Sequence, residues 1–143
     1  MKKVIFTALV VMGLALVVAC KSQPKTIDEQ FKSIYDRYKK DLILDGAEKY
    51  TVKSGDTLSA ISRSKYQNGF YFPVIMLASS DVVLDHDKIE PGMELTVPDL
   101  QKNLDDAKAR ANIKKYLGDV AKLEDDRDRP QDAEGLRNLA GTL

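Results

Sequence analysis

Two stretches decide the fold: Tyr50–Ile61, YTVKSGDTLSAI, and Lys88–Pro98, KIEPGMELTVP. In the first, Thr51 and Val52 sit between polar neighbours as in a half-buried strand, and Ser54-Gly55 supplies a tight turn. Asp56 or Thr57 can then cap a helix by accepting from a backbone N–H that has no intrahelical partner. Leu58, Ile61 and Tyr66 form one face of that helix, and Asn68-Gly69 ends it. Pro73 suits the first turn of a second helix that packs Val74, Ile75, Leu77 and Ala78 inward. In the closing stretch, Pro91-Gly92 turns the chain into a strand from Met93 to Val97, with Leu95 and Val97 two apart on one face. Strand, helix, helix, strand in about fifty residues leaves no room for an enclosed active site but enough for a groove between two loops.

At these residues the segment resembles the LysM family, a peptidoglycan- and chitin-binding module of βααβ fold. The resemblance is specific because both end motifs occur together, and it implies an α+β module at residues 49–98. It also implies a shallow groove for an N-acetylglucosamine-containing glycan, read largely by backbone N–H and C=O groups with apolar contact to the acetyl methyl. Carried over, one wall is Ser54, Gly55, Asp56 and Thr57, and the other is Asp85, His86, Asp87, Lys88, Ile89 and Glu90. The same residues also read simply as turn, cap and core. Ser79 stands where many such modules have Asn, and its hydroxyl is expected to cap or turn the chain there. The linker YQNGFYFP, Tyr66–Pro73, resembles an aromatic-rich subgroup. Its rings Tyr66, Phe70, Tyr71 and Phe72 read more readily as packing than as sugar-stacking platforms.

Upstream, Lys2-Lys3 precedes an apolar run from Val4 to Val18 interrupted by Thr7 and Gly13. That run is short for a membrane span and matches a secretory signal peptide, residues 1–19. Val17-Val18-Ala19-Cys20 resembles the lipobox of bacterial lipoproteins. The resemblance implies cleavage before Cys20, a diacylglyceryl group on its sulfur and an acyl chain such as palmitate on its amine. At about 0.8 kcal/mol per buried methylene, several chains on one residue anchor the protein essentially permanently. Residues 20–25 are the lipidated cysteine and its tether. Lys21, in place of the aspartate that retains some lipoproteins in the inner membrane, favours the outer membrane, facing the periplasm. Cys20 is the only cysteine, so no disulfide is expected.

Helical segments flank the module. Thr26-x-x-Glu29 reads as a capping box for an N-terminal helix over 26–46, with Phe31, Ile34, Tyr35, Tyr38 and Leu42 on one face and Asp45-Gly46 as its stop. Residues 99–143 read as a helical pair. Asp105-Asp106 caps a helix bearing Ala109, Ile113, Tyr116, Leu117, Val120 and Leu123. Glu124–Arg129 forms a charged loop, and Pro130 opens a final helix with Ala133, Leu136, Leu139, Ala140 and Leu143 inward. Neither flank can bury its stripe alone, so one α+β unit is expected.

Composition narrows the function. Twenty-two basic residues balance twenty-two acidic ones, leaving no basic field for nucleic acid. His86 is the only histidine, and the cysteine is expected to carry lipid, so no nucleophile–histidine site or zinc set can assemble and catalysis is not expected. Asp105-Asp106 and Asp125-Asp126 read as caps and solvated charge rather than a glycosidase pair. Asp81, Asp85 and Asp87 lack the glycines and spacing of a calcium loop. No cofactor or metal is expected. The leading expectation is a non-catalytic lipoprotein of the bacterial cell envelope that links membrane to peptidoglycan glycan strands. The alternative is an envelope protein-interaction subunit whose helical stripes recruit a partner such as a wall hydrolase.

Overall fold

The computed structural model describes residues 25–143. The expected signal peptide, Cys20 and most of the tether lie outside the described residues. Thr26 closes the capping box: its hydroxyl accepts from Glu29 N–H at 3.2 Å, and its own N–H donates to the Glu29 carboxylate at 2.8 Å. This opens α1, Ile27–Tyr38. Strand β1, Glu48–Thr51, pairs antiparallel with β2, Glu94–Val97, with Glu48 opposite Val97 and Thr51 opposite Glu94. Between the strands run α2, Leu58–Tyr66, and α3, Phe72–Ala78, joined through a 3₁₀ turn at Gly69–Tyr71. Then come α4, Leu100–Asp105; α5, Ala107–Asp126; and α6, Pro130–Thr142. The result is an α+β unit with a two-stranded sheet, as the sequence predicts.

One core joins module and flanks. Leu58, Ile75, Leu77 and Leu95 of the module are buried with Phe31 and Tyr35 of α1, Tyr116 and Leu117 of α5, and Leu136 of α6. Tyr116 donates to the Pro73 carbonyl at 2.9 Å, tying α5 to the start of α3. Burial raises its phenol pKa well above the ordinary range. Ser79 binds β2 both ways: its Oγ accepts from Thr96 N–H at 2.9 Å and donates to the Thr96 carbonyl at 3.2 Å. The hydroxyl thus holds the end of α3 to the sheet, a stronger role than a cap.

The aromatic linker is packing. Tyr71 and Phe72 are buried, and Tyr66 donates to the Pro98 carbonyl at 2.9 Å. Phe70 lies on α6 at Gly135, where an added Cβ would come within 2.2 Å of the ring. Glycine is therefore required at that crossing for as long as Phe70 keeps its place.

Three local expectations change. The first helix ends at Tyr38 rather than 46, tightening to 3₁₀ over Lys39–Asp41. The buried Asn103 captures the next stretch, accepting from Ile43 N–H at 2.9 Å and donating to its carbonyl at 2.8 Å. At the helix end itself Asn112 donates to the Tyr38 carbonyl at 2.9 Å, and Leu42, beyond the helix, still reaches the core. Asp99, accepting from Lys102 N–H, caps the unexpected α4, and Asp106 alone caps α5 by accepting from Ala109 N–H. Glu124, expected in a solvated loop, lies within α5 and is completely buried. No described helix is long and apolar enough to cross a membrane.

Candidate functional site

The first loop is shaped by its own residues. Gly55 takes φ +86, a left-handed conformation that side-chain-bearing residues resist. Asp56 folds back over the turn, where one carboxylate oxygen accepts from Lys53 N–H and from the Tyr50 hydroxyl, each at 2.8 Å. The Lys53 N–H and then the Tyr50 hydroxyl hold the Asp56 carboxyl below its ordinary pKa. Thr57 caps α2, accepting from Ala60 N–H at 3.1 Å.

The second loop is held from outside. Its 3₁₀ turn, His86–Lys88, follows Asp85, which is buried. Arg127 Nη2 donates to Asp85 at 3.1 Å and to Asp87 at 2.7 Å, while its Nη1 reaches Glu124 at 3.3 Å. Arg129 grips Asp87 with two nitrogens, one at 3.0 Å. The Arg129 contact, supported by His86 and Arg127, holds the Asp87 carboxyl below its usual range. His86, largely buried, places Nε2 3.0 Å from Glu124 and Nδ1 3.3 Å from Asp87, with its ring against Phe72. Helix α1 braces the other side: Tyr35 donates to the Leu84 carbonyl at 3.0 Å, and Lys88 pairs with Asp28 at 2.6 Å.

A cleft of about 400 Å³ opens between the loops. Asp56, Thr57, Leu58 and Ser59 line one side, and His86, Asp87 and Ile89 line the other. Phe72, Arg129 and Asp132 complete its lining. Of the ten residues carried to the groove by resemblance, Asp56, Thr57, His86, Asp87 and Ile89 meet at this cleft. Ser54, Gly55, Lys88 and Glu90 do not line it, and Asp85 points to Arg127 instead. Leu58, Ser59, Phe72, Arg129 and Asp132 are additions. A second opening of about 440 Å³ lies at the far end of the sheet, around Gly46, the Glu48–Lys65 pair, Gln67 and Gln101. It contains no residue of either loop.

Asp85, His86 and Asp87 are the described cluster whose ligand atoms converge, within 4.8 Å of one another. Its two carboxylates already face the Arg127 and Arg129 guanidinium groups. Among the described residues neither hydroxyl of the cleft, Thr57 or Ser59, bonds His86, whose ring nitrogens contact Asp87, Glu124, Arg127 and Arg129.

A paired strand on either side of two helices, with a cleft between the connecting loops, defines a small binding module. Residues 50–98 match the LysM domain, and the chain carries one such domain there. LysM domains are typically non-catalytic and support binding to glycan such as peptidoglycan. The chain is also similar to the potassium binding protein Kbp of Escherichia coli, 40% identical over 67 residues. Those residues are 47% of this chain and 45% of Kbp, so the similarity spans less than half of that relative. No solved structure matches the chain.

Proposed function

We propose that this chain is a non-catalytic peptidoglycan-binding lipoprotein, anchored through Cys20 in the outer membrane and facing the periplasm, which links membrane to wall. The observation that carries the reading is the cleft between the two loops of the LysM domain. Its chemistry suits a neutral amide-bearing sugar. Half-buried Ile89, backed by the buried Leu58 and Phe72 side chains, offers apolar contact to an acetyl methyl, and polar loop groups surround it. The alternative, recruitment of a protein partner through the helical stripes, is weakened, with Tyr38 and Leu143 left half-buried. Phe31, Tyr35, Leu136 and Leu139 are buried in the common core. A potassium role like that of the relative would fall on the Asp85–Asp87 carboxylates. There the ion would displace or compete with two guanidinium groups, so the glycan reading stands first.

Co-sedimentation of the protein lacking residues 1–20 with purified peptidoglycan sacculi tests the binding role. Protein in the pellet is expected, and protein that stays wholly in the supernatant overturns it. Cys20→Ala should release the processed chain from membranes. Membrane retention like that of the wild type would sink the lipid anchor.

A further inference from the structure

The cleft has a side that the LysM domain does not supply. Arg129 ends the α5–α6 turn and Asp132 stands in the first turn of α6, both outside residues 50–98. Their placement is fixed. Asp128 adopts φ +63, an uncommon left-handed conformation that aspartate tolerates, and the arginines on either side of it both contact Asp87. Arg129 is thereby engaged by Asp87, and Asp56 is engaged by Tyr50 and the Lys53 backbone. Asp132 differs: half-buried at the cleft, its carboxylate makes no contact-distance hydrogen bond or ion pair with any described residue, and its charge acts on neighbouring Arg129 only through space. Three carboxylates, Asp56, Asp87 and Asp132, therefore line the cleft with one lining guanidinium, Arg129, while Arg127 reaches Asp87 from behind it.

We infer that Asp132 determines which saccharide the cleft accepts: its free carboxylate receives a hydrogen bond from a hydroxyl or amide N–H of an uncharged sugar unit and repels a unit bearing a carboxylate. The binding surface is then the LysM domain together with α6, and Asp132 disfavours a muramyl unit whose lactyl carboxylate is free, as it is once the stem peptide has been removed. This inference rests on the glycan-binding reading above.

Two tetrasaccharides test it by titration calorimetry at low salt. One contains only N-acetylglucosamine, and the other alternates N-acetylglucosamine with N-acetylmuramic acid whose stem peptides have been removed. Wild type should prefer the neutral ligand. Asp132→Asn, an isosteric change at a side chain without a partner, should narrow that preference about fivefold, the effect of one unit-charge repulsion near contact in water. Asp132→Lys should narrow it further or reverse it, and added salt should erase the differences among the three proteins. Matching thermal melts establish that each variant is folded. If wild type binds the ligands but all three proteins show the same ratio, the role of Asp132 is wrong and the glycan-binding reading survives. If wild type binds neither saccharide nor sacculi, both fall.

Discussion

The two loops that face each other across the cleft are held by opposite means. In the first, Gly55 turns the chain, and the bonds that fix it span six residues or fewer: Tyr50 to Asp56, Lys53 to Asp56, Thr57 to Ala60. In the second, Asp85, His86 and Asp87 are positioned by Arg127, Arg129 and Glu124, some forty residues downstream. One wall is therefore secured mainly by bonds within a short peptide, and the other also by side chains of α1, α5 and the α5–α6 turn. The LysM domain here is continuous in sequence, but one side of its groove depends on the flank.

Breaking the remote clamp should have the largest effect. Arg127 is nearly buried, and its guanidinium faces Asp85 and Glu124, both buried, while lying over the Phe31 ring at 5.5 Å. Arg127→Met keeps much of the volume but leaves buried carboxylates without their cation. A loss of about 3–5 kcal/mol in urea unfolding is expected. Arg127→Lys, which restores charge but not the fork, should recover part of it. A loss under about 1 kcal/mol would mean that the clamp behaves as an exposed ion pair.

Breaking the local turn should cost less stability. No atom lies within 4 Å of a Cβ built on Gly55, so Gly55→Val meets backbone strain alone. About 1–2 kcal/mol is expected, with Gly55→Ala milder. The loop must shift to relieve that strain, so sacculus binding should be lost while circular dichroism shows a folded protein. A folded Gly55→Val protein that sediments with sacculi like wild type would remove the first loop from the site.

The same contrast explains what could be read from the chain. The capping box at Thr26, the Thr57 cap, the Gly55 turn, Pro73, Asp106 and Pro130 act within one helical turn of their own position, where sequence carries the signal. The apolar stripe is also real through Leu42, although the helix itself ends at Tyr38, whose carbonyl accepts from the distant Asn112. Charge complementarity across the fold has no periodicity, so Arg127 and Arg129 read from sequence only as part of a charged loop. One clue was present. Glu124 stands four residues after Val120 and seven after Leu117, on the buried face of α5, and a carboxylate there needs a cation. Asp132 carried no signal, because only the α5–α6 turn brings it to the cleft.

The smallest effect separates the two walls most finely, because each contains one carboxylate whose pKa is lowered in the folded protein. Asp56 is held by the Lys53 N–H and Tyr50 hydroxyl, and Asp87 first by Arg129. A carboxyl with a depressed folded-state pKa adds stability above its unfolded value, about 4, and loses it as pH falls through the folded value. Asp56→Asn and Asp87→Asn should therefore each melt below wild type at pH 7, with the gap closing as pH drops below about 4. The Asp87 side chain is 42% exposed, so solvent limits its ion pairs to about 1 kcal/mol or less. Salt distinguishes the causes. Raising ionic strength from about 0.1 to 1 M shortens the screening length from about 10 to 3 Å. The Asp87 gap should shrink, because it comes from guanidinium charge, while the Asp56 gap persists, because its donors are neutral and in contact. Equal salt responses would show that both carboxylates are held in the same way and would remove the electrostatic distinction between the walls. A gap for Asp87→Asn that persists to pH 2 would show that its carboxylate charge is not what secures the second loop.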